Sequence, residues 1–139
     1  MVDVDLDRFV RAHRENYRQA LAELRQGKRE GQWMWFMFPQ IKDLGQTSRD
    51  YSLSDVREAR IFLNHPMLGV HLMEATRVLL GLEGKSAEEI FGPVDSQRLC
   101  ASMTLFALAD TKEPLFRQVL KKYFAGKPDR RTLERMGLR

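Results

Sequence analysis

The chain reads as all-α, a bundle of about six or seven helices around one buried central helix. Three observations predict this. Apolar residues recur at three- and four-residue steps along most of the sequence, as on helix faces turned toward a core. Capping residues and glycine or proline stops bracket those stripes. No Asn-Gly-type hairpin signal interrupts them.

In the first helix Leu6, Phe9, Val10, His13, Tyr17, Ala20, Leu21 and Leu24 form one stripe, with Asp3 or Asp5 as cap and Gly27 as stop. Arg8, Arg11, Glu15, Arg18 and Arg25 make its wet face. The stretch Gly31-Gln32-Trp33-Met34-Trp35-Phe36-Met37-Phe38-Pro39-Gln40 follows, holding both tryptophans and the densest apolar run. So short a run has no assignable period. Burying a large apolar side chain is worth about 1.5–3 kcal/mol, so this segment lies at the centre of the molecule or lines a cleft in it. Pro39 pushes Phe38 toward an extended backbone, and Leu44 to Tyr51 reads as loop.

Ser52 with Asp55 resembles a capping box for a helix through Val56, Ala59, Arg60 and Leu63, closed by Asn64-His65-Pro66. Pro66 opens the next helix, which repeats Leu68, Leu72, Ala75, Val78, Leu79 and Leu82. Ser86 and Glu89 cap a short helix that Gly92-Pro93 stops. From Asp95 or Ser96 to Asp110 the residues are apolar on every side, which predicts the central helix. Glu113-Pro114 opens a further helix with Leu115, Phe116, Val119, Leu120, Tyr123 and Phe124 inward and Gly126 at its end. Asp129 caps a last turn carrying Leu133 and Met136.

A length of 139 residues suits one domain, 1–139. With 43% hydrophobic and 30% charged residues, the composition is that of a globular chain rather than a disordered one. No apolar stretch reaches the roughly 18 residues that cross a bilayer, and the acidic start lacks an apolar signal region. A cytoplasmic protein with no membrane partner is expected. The single cysteine, Cys100, excludes an internal disulfide and cysteine-built metal sites. Glycine-rich phosphate loops, HExxH, Gly-x-Ser-x-Gly and metal-spaced His/Cys clusters are all missing, so no cofactor or metal is expected. His13, His65, His71 and Cys100 read as structural.

Asp95, Arg98 and Ser102 fall at i, i+3 and i+7, along one side of the central helix. Capping by Asp95 and back-bonding of Ser102 and Thr104 to the preceding turn would account for them. A candidate site instead joins them to the aromatic run. There Trp33 and Trp35 stack a planar group, Gln40, Ser48 and Tyr51 supply hydrogen bonds, Glu58 acts as acid or base, and Arg98, with Ser102 beside it, pairs with a phosphate or carboxylate. The competing reading makes Trp33 to Phe38 plain core. A second candidate surface is the basic C-terminal region, Lys121, Lys122, Lys127, Arg130 and Arg131, opposed only by Asp129 and Glu134.

Several strings here are peculiar: Asp5-Leu6-Asp7-Arg8-Phe9-Val10, Trp33 to Gln40, Glu58-Ala59-Arg60 with Leu63-Asn64-His65-Pro66, and Ile90-Phe91-Gly92 through Asp95 to Ser102-Met103-Thr104-Leu105-Phe106. On these the chain resembles the bacterial family "domain of unknown function 1810" over nearly its whole length. The resemblance implies a compact, mainly helical fold and no particular activity. Gln32 stands where the family usually has His, and His13 where it usually has Gln, so an essential histidine before Trp33 is not expected. The label "calpastatin" that some members carry fits poorly, because such inhibitors are extended and disordered whereas this sequence buries a core. A faint similarity to the ADP-ribose-linked NADAR superfamily (aromatics, a Glu inside a helix, a late helix ending in Phe) transfers no residue role. The functional expectation is a nucleotide-like small-molecule pocket, with hydrolysis of nucleotide-derived glycosidic bonds as its chemistry. The alternative is a non-catalytic module for nucleic acid, another polyanion or a protein partner.

Overall fold

This computed structural model describes residues 5–42, 44 and 51–138. Among them the chain forms eight helices and no strand: α1 (Asp7–Gln26), α2 (Met34–Met37), α3 (Val56–Asn64), α4 (Leu68–Gly81), α5 (Ala87–Phe91), α6 (Pro93–Ala109), α7 (Leu115–Phe124) and α8 (Arg130–Arg135). The helix added to the expected six or seven is α2, a single turn made by the aromatic run.

Local sequence sets most boundaries. Asp5 Oδ1 accepts the Asp7 N–H at 2.9 Å, and Gly27, at φ 76°, closes α1. Asp55 caps α3, three residues later than the Ser52–Asp55 box predicts: its carboxylate accepts the Glu58 N–H while Glu58 Oε1 accepts the Ser54 N–H. Leu53 is the reason. Its N–H donates to Gln40 O and its carbonyl accepts from Lys42 N–H, an isolated bridge that holds Leu53 out of any helical turn. Similarly, α6 starts at Pro93 rather than at Asp95 or Ser96. Proline at the first helical position forfeits no hydrogen bond, and Gly92 at φ 88° serves as both the end of α5 and the start of α6. Asp95 is thereby released from capping.

All of α6 except Pro93, Val94, Gln97 and Leu108 is shielded or fully buried. It packs against α3, α5, α7 and α8, while α1 lies on α2 and α4. The predicted central helix is therefore α6. None of the described helices is long and apolar enough to cross a membrane.

Where α4 folds back on the end of α3, a Cβ on Gly69 would lie 1.8 Å from the Leu63 carbonyl oxygen. No rotamer relieves a clash with backbone, so Gly69→Ala is expected to cost at least about 2 kcal/mol in urea unfolding. Gly81, at the far end of the same helix, has open space around that position. Gly81→Ala should instead stabilise by about 0.4–1 kcal/mol, by restricting the unfolded chain. Equal effects at the two sites would contradict the packing described.

Candidate functional site

Trp33 belongs to the interior. It is 1% exposed, edge-on to Phe91 at 6.2 Å, and its Nε1–H donates to Glu23 Oε1 at 2.7 Å. No ring face is left for the planar guest expected from the sequence. Glu23, a residue that sequence reasoning passed over, also accepts the N–H groups of Glu30 and Gly31 and the amide of Gln19. Burial pushes its carboxyl upward, but these donors outweigh burial and hold it at about 2.

Trp35 is half-buried and meets Arg98, whose guanidinium carbon lies 5.7 Å from its ring centroid. Arg98 Nε pairs with Asp95 Oδ1 at 3.0 Å, and the other Asp95 oxygen takes Arg29 at 2.5 Å. Arg29 also donates to the Gly31 and Phe91 carbonyls, tying the approach to α2 to the α5–α6 corner. Burial lowers the Arg98 pKa from its ordinary value, opposed by the Asp95 charge. One helical turn past Arg98, Ser102 is 0% exposed and its Oγ has no hydrogen-bond partner. Thr104 does bond back to Cys100 O, as expected, but Ser102 does not. Gln40 is likewise buried, and its Oε1 has no partner. Leaving such atoms unpaired costs about 1–3 kcal/mol each.

The structure thus brings Trp35, Arg98 and Ser102 to one region and takes other candidates elsewhere. Glu58 sits in the first turn of α3, its Oε1 engaged by the Ser54 amide. Tyr51 packs edge-on against Phe9 and Phe36 at 5.5 and 5.3 Å. Ser48 lies outside the described residues. Of the basic C-terminal residues, Lys122 donates to the Leu80 and Leu82 carbonyls and Arg131 to Leu44 O, while Lys121, Lys127 and Arg130 are exposed. Lys127 and Arg130 line a cleft of about 720 Å³ with Leu133, Glu134 and Leu138. Cys100 is a buried thiol donating to Lys127 O at 3.6 Å; burial, then the Asp129 charge, raise it to about 11, so it stays protonated.

The histidines converge more than their spacing suggests. His13 Nε2 lies 2.8 Å from the Phe36 carbonyl, which only accepts, so Nε2 carries the proton. Its Nδ1 then accepts from His71 Nδ1 at 2.9 Å, which leaves His71 Nε2 as the basic nitrogen of the pair. Tyr17 stacks on His71 at 3.5 Å and donates to the Glu74 carboxylate. The expectation of a satisfied core histidine holds for His13. Burial, only partly offset by the Phe36 bond, lowers it to about 4, and His71 and His65 add to the fall. The unfolded chain therefore binds one more proton between pH 6.5 and about 4, and stability drops as pH falls through that window. We expect wild type to lose about 2 kcal/mol from this group between pH 7 and pH 5 in urea titrations, and His13→Gln to lack that component. Parallel pH profiles for the two proteins would refute the buried neutral His13.

Residues 3–136 match the model of a family described as "Protein of unknown function (DUF1810)". Among solved structures, the chain is similar to the conserved hypothetical protein Rv1873 from Mycobacterium tuberculosis. The two share 44% identity and a TM-score of 0.93, with 97% of this chain and 98% of that one covered. Comparison with curated proteins gives no match. The chain belongs to the DUF1810 family of proteins of unknown function.

Proposed function

We propose that the chain binds a nucleotide-like small molecule at the corner formed by Trp35, Arg98 and Ser102. The observation that carries this reading is Ser102 Oγ, a fully buried polar atom one helical turn past Arg98 that has no hydrogen-bond partner. A fold does not retain such an atom without cost, and a base edge offers both the N–H donors and the acceptors that would satisfy a hydroxyl. Trp35 supplies aromatic surface and Arg98 a charge already oriented by Asp95, which suits a planar group carrying an anion. Glycosidic hydrolysis has less support, because a Glu58 carboxylate oxygen is engaged by the Ser54 amide at the start of α3, so the reading is one of binding. The polyanion alternative is likewise weakened, since Lys122 and Arg131 hold backbone carbonyls.

Thermal unfolding with AMP, ADP-ribose and NAD tests the proposal. A ligand at a hundredfold its Kd stabilises by about 2.7 kcal/mol, which raises Tm by several degrees for a domain of this size. At least one nucleotide should produce that shift in wild type, quench tryptophan emission, and lose most of its effect in Trp35→Leu. If none shifts Tm, or if Trp35→Leu responds as wild type does, the proposed site is wrong.

A further inference from the structure

A cleft of about 660 Å³ lies on a different part of the surface, between the first turns of α1 and the segments flanking the Ile41–Leu53 bridge. Arg8, Arg11, Lys42, Tyr51, Ser52, Ser54 and Asp5 line it. The lining holds three cations, one carboxylate and the hydroxyl-bearing Tyr51, Ser52 and Ser54. Arg11 and Lys42 are exposed and have no ion-pair partner among the described residues.

The walls of the cleft are fixed by contacts that leave these groups in place. Arg8 holds the two sides together by donating to the Asp5 carbonyl at 2.6 Å and to the Ser52 carbonyl at 3.4 Å. Leu53 locks to Gln40 and Lys42 through two backbone hydrogen bonds of 3.0 and 2.8 Å, which sets Lys42 opposite Ser52 and Ser54. Tyr51 cannot swing freely, because Phe9 and Phe36 grip its ring edge-on. Asp5 Oδ1 is tied to the Asp7 amide, so the one carboxylate is engaged at the start of α1.

We propose that this cleft is a binding site for a small phosphate-bearing metabolite. Its lining has an excess of two positive charges among the described residues, and one phosphate ester carries about −1.5 to −2 at neutral pH. Guanidinium, ammonium and hydroxyl donors lining one cleft from two segments suit a tetrahedral anion with several acceptor oxygens better than a planar carboxylate. The volume is within the roughly 300–1,000 Å³ range of small-molecule sites, leaving room for an organic group on the phosphate. Because both segments are already tied, little ordering is needed on binding.

Inorganic pyrophosphate, titrated calorimetrically into the full chain at constant ionic strength, tests the site. Saturable binding is expected, weakened about tenfold or more in Arg11→Gln/Lys42→Gln, two exposed positions whose replacement spares the core. Lys112→Gln/Arg117→Gln removes the same charge from elsewhere on the surface and should bind as wild type does. The proposal is overturned if pyrophosphate does not bind wild type. It is overturned equally if both double variants weaken alike, which would mean that only net charge matters. It also fails if a single-stranded oligonucleotide binds, with affinity falling steeply with salt, while pyrophosphate does not, which would mark an extended polyanion surface.

Discussion

One buried carboxylate organises the half of the molecule in which sequence reasoning had least purchase. Glu23 sits near the end of α1 and gathers four donors: the backbone amides of Glu30 and Gly31, the Trp33 indole and the Gln19 amide. Each such bond to a charged acceptor is stronger than one between neutral groups, and together they outweigh the penalty of burying the charge. Their effect is geometric. Lys28 to Gly31 is turned back along α1, Trp33 is drawn into the interior, and α2 follows with Met34, Phe36 and Met37 facing the core.

With that corner set, the second ionic group becomes intelligible. Arg29, placed by the same turn, reaches over to Asp95 at the start of α6, and Asp95 in turn orients Arg98 against Trp35. Charged groups this well shielded are costly unless paired and hydrogen-bonded. Here two guanidiniums share one carboxylate, and the polar atoms of Ser102 and Gln40 are left without partners in the fold. The contrast between the well-satisfied carboxylate at Glu23 and the unsatisfied Ser102 hydroxyl one turn past Arg98 separates the structural Trp33 from Trp35, where we propose that a ligand binds.

Much of this was legible in the sequence. Periodicity located α1, α3, α4, α6 and α7, because amphipathic and all-apolar helices write their burial into residue spacing. Capping residues placed α5 and α8. The spacing of Asp95, Arg98 and Ser102 pointed to one face of α6, and Trp35 does meet Arg98 there. What spacing does not encode is pairing between distant segments. Nothing local to Glu23 announces that a turn seven residues on will hand it two amides, although its position three residues after the fully buried Ala20 hints that it faces inward. His13 and His71 meet only because α1 packs on α4, and the Ile41–Leu53 bridge, which shifts the start of α3, is equally non-local. The two tryptophans stand two residues apart in an undivided apolar run, so the sequence offers them a common role, which the helical turn of α2 pulls apart.

The most direct measurement is the pH dependence of unfolding free energy for Glu23→Gln beside wild type. The substitution keeps shape and removes charge. A carboxyl held at about 2 in the fold contributes stability that is fully present above its unfolded value near 4.5 and is lost as pH falls toward 2. At pH 7 the variant should be less stable by about 2 kcal/mol, with the gap closing between pH 4.5 and 2. Equal stability at pH 7, or a gap that stays constant into acid, would contradict the organising role given to Glu23.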